Sequence, residues 1–201
     1  MIRVVVAEDQ ALVLGAIASL LALEGDIEIV GQAPDGRKAL EMVRALAPDV
    51  LVSDIEMPEL TGIEVAAQLR AEQSPTHVLI VTTFARAGYM RRAIDAGVRG
   101  YTLKDSPADQ LADGVRRVAR GMQVIDPELA AVAAFAPVDP LSDRERAILR
   151  LAQEGRSNKE IARSLSLSPG TVRNYLSEAA AKLGAANRVE ASRVARDNGW
   201  L

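Results

Sequence analysis

The chain has 201 residues, 49% of them apolar and 25% charged, a composition that packs a core and excludes a disordered protein. It contains no cysteine and one histidine, His77, so disulfides, thiolate chemistry, zinc fingers, iron–sulfur clusters and multi-histidine metal sites are excluded. The length admits one large domain or two small ones at roughly 100–200 residues each, and the net charge of −3 sets no strong polarity on the whole.

In chain order, a β-branched run at Ile2–Ala7 reads as a buried strand. Ala11–Leu23 is an uncharged, mostly apolar run. It falls short of the roughly 20 residues that span a bilayer. Glu8 and Asp9 precede it, where a signal peptide would carry basic residues. The run is expected to be a buried helix, and the protein a cytoplasmic one with no membrane partner. Further strand-like runs follow at Ile27–Ala33, Val50–Ser53, Val78–Thr82 and Gly100–Leu103. Between them, Ala39, Leu40, Val43 and Leu46 form one helical stripe, and Ile63, Val65, Ala66 and Leu69 another. Asp35-Gly36, Pro48-Asp49, Pro58, Thr61-Gly62 and Ser74-Pro75 punctuate the joins. Five strands alternating with helices predict an α/β fold, a (βα)5 doubly wound parallel sheet over residues 1–121.

Residues 122–140 change texture. They hold Pro127, Pro137 and Pro140 with few bulky apolar side chains, and read as a linker in which Ala130–Phe135 forms a turn or two of helix. From residue 141 no strand signal remains. Ser142–Gln153, Asn158–Leu165, Pro169–Leu183 and Asn187–Asn198 read as four helices. Ser142 and Glu145 make a capping-box pattern, and Ser168 caps a helix whose first residue is Pro169. Gly155 and Gly184 stand where helices stop. Residues 141–201 carry net charge +4 and residues 1–140 net −7. An acidic α/β domain is thus joined to a small, basic, all-α one, the charge pattern of a nucleic-acid binder.

Chemistry-bearing residues gather at strand ends. Strand one runs into Glu8-Asp9, strand three into Asp54, strand four ends in Thr82 and strand five is followed by Lys104. In a parallel sheet these all reach the same edge. Three carboxylates there repel one another unless a cation intervenes, and oxygen ligands suit Mg²⁺ or Mn²⁺. A carboxylate nucleophile, a divalent ion, a lysine and a hydroxyl compose a phosphoryl-transfer site. His77, beside Ser74 and Thr76, reads as a strand-edge residue without a role.

At Glu8-Asp9, Asp54-Ile55-Glu56-Met57-Pro58 with Gly62, Thr82, and Gly100-Tyr101-Thr102-Leu103-Lys104-Asp105, residues 1–121 resemble a bacterial response-regulator receiver domain. The resemblance implies that Asp54 is the phosphoacceptor. It implies that Glu8, Asp9 and Asp54, with the backbone carbonyl of Glu56, hold the metal. Thr82 and Tyr101 are the implied switch pair, and Lys104 the implied phosphate-binding lysine. Gln10 departs from the His or Asn of many members. A haloacid-dehalogenase phosphatase is the enzymatic alternative. It needs a second Asp two residues after the nucleophile, where this chain has Glu56, and no insertion supplies a cap.

The C-terminal blocks carry a second resemblance. They are Leu141–Arg146, Gly155–Ala162, Leu167–Tyr175, Lys182-Leu183-Gly184 and Asn187-Arg188. Ile161, Ala162, Leu165, Val172, Leu176 and Ala180 are expected to face a core. The helix after Ser168 carries Thr171, Arg173, Asn174, Ser177 and Lys182 elsewhere, a helix-turn-helix shaped for a major groove. Residues 141–201 resemble the four-helix DNA-binding domain of the NarL/LuxR class. By that resemblance Lys159 and Lys182 contact phosphate, and Arg173, Asn174 and Ser177 face base edges. Ser168 and Thr171 join them at the helix start, and Asn187–Asn198 is a dimerisation helix. The expected protein is a two-component transcriptional regulator rather than an enzyme. A sensor histidine kinase phosphorylates it, it pairs into a homodimer and it binds promoter DNA. The alternative is a regulator that binds DNA without phosphorylation. Apolar faces for receiver pairing are offered by the first helix, with Leu12, Val13, Ala16 and Ile17, and the fifth, with Leu111, Val115 and Val118, although some of these residues must pack on the sheet. The fourth helix and fifth strand are the rival surface.

Overall fold

A computed structural model of the chain describes residues 1–83, 87–125 and 137–201. The described residues form two compact units, one built on a five-stranded sheet and one on helices.

The first unit contains β1 (Ile2–Ala7), α1 (Ala11–Ala22), β2 (Ile27–Ala33), α2 (Gly36–Leu46), β3 (Val50–Ser53), α3 (Gly62–Ala71), β4 (His77–Thr82), β5 (Gly100–Leu103) and α5 (Ala108–Ala119), together with the Met90–Asp95 part of α4 (Ala87–Asp95). All pairings are parallel and the strand order is β2-β1-β3-β4-β5. The order reverses direction between β1 and β3, which opens a crevice at their carboxyl ends. Register brings the strand ends level, with Ala7 opposite Ser53 and Thr82 opposite Leu103. Backbone bonds continue one residue further: the Asp54 N–H donates to the Ala7 carbonyl at 2.9 Å, and the Lys104 N–H to the Thr82 carbonyl at 2.8 Å.

One sheet face packs Val4, Val6, Val50, Val52, Leu79 and Val81 against Ile17 and Leu21 of α1 and Leu111, Val115 and Val118 of α5. This placement corrects two expectations. α1 is not a buried helix: only Ile17, Ala18 and Leu21 are buried, while Leu12 is 86% and Leu23 81% exposed. A helix lying on one side of a sheet covers it with a single stripe, and here the outward side is apolar too. Conversely, Leu111, Val115 and Val118 are core residues of α5 and are not available as an outer face. The segment read as linker begins as structure. Val124 accepts from the Tyr101 N–H at 2.9 Å and donates to the Arg99 carbonyl at 2.8 Å, alongside β5. The helical turn expected at 130–135 lies outside the described residues.

In the second unit, α6 (Asp143–Gln153), α7 (Asn158–Ser164), α8 (Pro169–Lys182) and α9 (Arg188–Asp197) close around Ile148, Leu149, Ile161, Val172, Leu176, Ala191 and Ala195. Reciprocal capping boxes start α6 at Ser142/Glu145 and α7 at Ser157/Glu160. Ser168 caps α8, and Asn187 caps α9. On α8 the buried stripe runs through Ala179, with Ala180 only half-buried beside it. No helix among the described residues is long and apolar enough to cross a membrane.

The loop after β3 returns so tightly that α3 begins against it. A Cβ on Gly62 would lie 2.1 Å from the Asp54 carbonyl oxygen and 2.7 Å from Ser53 Oγ. Gly62→Ala is therefore expected to destabilise the first unit by about 1–3 kcal/mol, the usual range for overpacking. Urea unfolding checks this, and an unchanged midpoint would contradict so close an approach.

Candidate functional site

Four charged side chains meet at the carboxyl edge of the sheet. Glu8 and Asp9 leave β1, Asp54 leaves β3, and Lys104 leaves β5. Carboxylate oxygens of Glu8, Asp9 and Asp54 lie within 4.8 Å of one another. Lys104 Nζ sits 2.6 Å from Glu8 Oε2 and 3.0 Å from Asp54 Oδ2. The side chains of Glu8 and Asp54 are only 1% and 9% exposed, and that of Lys104 is 12% exposed. Asp9 is exposed at the mouth.

The local backbone orients both buried acids. Glu8 Oε1 accepts from the Gln10 N–H at 3.1 Å, and Asp54 Oδ1 from the Ile55 N–H at 2.7 Å. The other Asp54 oxygen faces Lys104 and the pocket.

Burial dominates the electrostatics. It raises the Asp54 carboxyl above the ordinary carboxylate range, against the pull of Lys104 and the Ile55 N–H. It raises Glu8 likewise, and the neighbouring Asp54 charge adds to the effect. Burial also opposes the Lys104 charge, but the bonds to Glu8 and Asp54 outweigh it and hold the ammonium above its usual range. One ammonium facing three carboxylates leaves the pocket with surplus negative charge. That donor set, all oxygen and partly buried, fits a hard divalent cation.

The remaining first-unit candidates lie on β4, β5 and the loop after β3. Thr82 ends β4 and is buried, and Tyr101 on β5 is buried as well. Glu56 is exposed in the loop after Asp54. His77 lies at the opposite, amino end of β4. Burial and then Arg99 push its imidazole below the usual range.

In the second unit, Lys159, Arg173, Asn174 and Ser177 are exposed along α7 and α8. Ser168 and Thr171 are engaged in the cap: Ser168 Oγ accepts from the Thr171 N–H at 3.0 Å and lies 2.8 Å from Thr171 Oγ1. Lys182 is part-exposed and donates to Glu145 Oε2 at 2.7 Å. Glu145 is 1% exposed. Burial opposes its charge, yet Lys182 and Ser142 outweigh burial and keep the carboxyl below its ordinary range. This ion pair ties the end of α8 to the start of α6. Sequence reasoning missed it because the partners are 37 residues apart. The available signal was a capping-box glutamate that also falls on the buried stripe of α6.

Residues 4–116 match the response regulator receiver domain, and residues 139–195 the bacterial regulatory proteins of the luxR family. The chain is 48% identical to the uncharacterized transcriptional regulatory protein YvfU of Bacillus subtilis, over the full length of both. It is 46% identical to the transcriptional regulatory protein DesR of the same organism, again over both full lengths. Among solved structures it is similar to the response regulator ChrA of a heme-sensing two-component system, with a TM-score of 0.58 and 34% identity. That likeness covers 100% of this chain and 98% of the other.

Because burial disfavours the Asp54 charge, the folded carboxyl binds its proton more readily than the unfolded one. Stability is then lost as pH rises through that raised range. At neutral pH in metal-free buffer, Asp54→Asn is expected to raise the melting temperature of the first unit. A calorimetric scan checks the sign, and a lowered melting temperature would contradict the surplus-charge account.

Proposed function

This chain belongs to the response regulators that join a receiver domain to a LuxR-type DNA-binding domain, and from that premise we propose the following mechanism for its site. Asp54 accepts a phosphoryl group from a phosphohistidine of a sensor kinase. Its carboxylate oxygen forms a bond to phosphorus as the phosphorus–nitrogen bond breaks, and the leaving imidazole takes a proton from solvent. Glu8, Asp9 and Asp54, with the Glu56 carbonyl, would hold Mg²⁺ or Mn²⁺. When bound, the ion supplies positive charge to the phosphoryl oxygens. Lys104, already held at Asp54, supplies a second positive charge there. Thr82 and Tyr101 read the new group as the switch pair. The observation that carries this reading is the meeting of three carboxylates and Lys104 at one sheet edge.

The second unit supplies the output. Arg173, Asn174 and Ser177 on α8 read base edges, and Lys159 contacts phosphate. Lys182 reaches the backbone only with the part of its ammonium that Glu145 leaves free. Ser168 and Thr171 present the amino end of α8 to a phosphate while they cap it. The receiver takes residues 1–121 together with the pairing at Val124, and the DNA-binding domain residues 141–201. The protein acts in the cytoplasm as a regulator rather than by turning over a metabolite.

A single domain of this size makes few base contacts, and two linked copies gain affinity through effective concentration. The receiver surface for pairing is α1. Leu12, Ala16, Leu20 and Leu23 are exposed along one side of it, with Val13 half-buried beside them. Phosphodonor treatment is expected to convert the chain from monomer to dimer in sedimentation, and to tighten its binding to a target promoter at least tenfold. Leu12→Asp should hold the treated chain monomeric. A chain that sediments as a tight dimer before treatment would contradict the switch.

A further inference from the structure

The exposed face of α8 carries one residue that neither phosphate contact nor helix packing explains. Val172, Leu176 and Ala179 are the buried stripe of the helix. At about 100° per residue, Asn174, Ser177 and Glu178 all lie within about 50° of the direction opposite that stripe. Glu178 is nearer to it than Arg173 is. Glu178 is exposed, and among the described residues its side chain has no hydrogen bond or ion pair. The partner expected four residues on is Lys182, because a Glu–Lys pair at that spacing supports a helix. Lys182 is instead drawn to the buried Glu145 at 2.7 Å. The carboxylate of Glu178 is left pointing away from the core on a helix of an otherwise basic unit.

A carboxylate on a groove-facing helix is repelled by the phosphates and cannot serve as a backbone contact. It can only accept; of the two base donors in the major groove, adenine N6 sits beside the N7 acceptor, which repels a carboxylate, and the cytosine N4 amino group suits it better. Guanine presents acceptors at the same depth and rejects it. We propose that Glu178 is a specificity-determining residue that accepts a hydrogen bond from a cytosine N4 amino group in each half-site. The inference rests on the reading of α8 as the base-reading helix. Within that reading, Arg173 and Asn174 supply affinity and base contacts, while Glu178 lowers affinity for DNA that lacks the cytosine.

The test uses the full chain, treated with phosphodonor, and a pool of random duplexes. Preferred sequences are selected by wild type, Glu178→Gln, Glu178→Ala and Arg173→Ala, and affinities are then measured on the selected and on scrambled duplexes. Both Glu178 variants are expected to lose a cytosine preference at one position per half-site, and to bind scrambled DNA more tightly than wild type does. Their ratio of specific to scrambled affinity should fall about tenfold. Glu178→Gln keeps shape and is exposed, so an unchanged melting temperature confirms the fold. If Arg173→Ala alters the preferred sequence while both Glu178 variants keep the wild-type one, the proposal is overturned and the reading of α8 stands. If no variant alters it, the proposal falls together with that reading.

Discussion

Lys104 is held between two carboxylates that the fold buries, and the electrostatics of the first unit depend on that contact. Charges so far from water are costly, and one ammonium offsets only part of the cost. The site is therefore built under electrostatic tension, with Asp54 raised in pKa and surplus negative charge in the crevice. Such a pocket favours whatever brings positive charge. The parallel sheet makes the arrangement possible, because residues far apart in sequence leave neighbouring strands at one edge. Gly62 lets the next helix close against the Asp54 carbonyl, so the loop that carries Asp54 is packed from behind.

The second unit uses charge in the opposite sense. Glu145 is nearly as buried as Glu8, but Lys182 and the Ser142 cap satisfy it well enough to lower its pKa. The same carboxylate closes a capping box at the start of α6 and fastens the end of α8. This contact resists rotation of α8 on its core. It also determines which charges α8 shows. Lys182 turns partly inward and Glu178 remains outward.

Most of the architecture was legible because the physical signals are local. Four of the five strands begin and end where their β-branched runs do, and β4 starts one residue early at His77. The capping pattern located α6 and α8, since Ser142 and Ser168 make the bonds their sequence context implies. The acidic site was legible from strand ends alone, because parallel pairing leaves little freedom in where they meet. What stayed hidden depends on packing partners. Ala11–Leu23 is apolar on both sides, so periodicity could not say that Leu12 and Leu23 face outward. The apolar residues of α5 looked equally available, but the sheet takes Leu111, Val115 and Val118. Lys182 resembled any basic residue on a recognition helix until Glu145 was placed beside it.

In the proposed mechanism the buried acidic crevice makes Asp54 the phosphoryl acceptor. Incubating the chain with Mg²⁺ and a small phosphodonor, followed by peptide mass analysis, tests it most directly. The account predicts a base-labile, hydroxylamine-sensitive phosphoryl adduct on Asp54, formed only with the divalent ion present and absent from Asp54→Ala. Equal labelling of Asp54→Ala, or an adduct located on another residue, would contradict it.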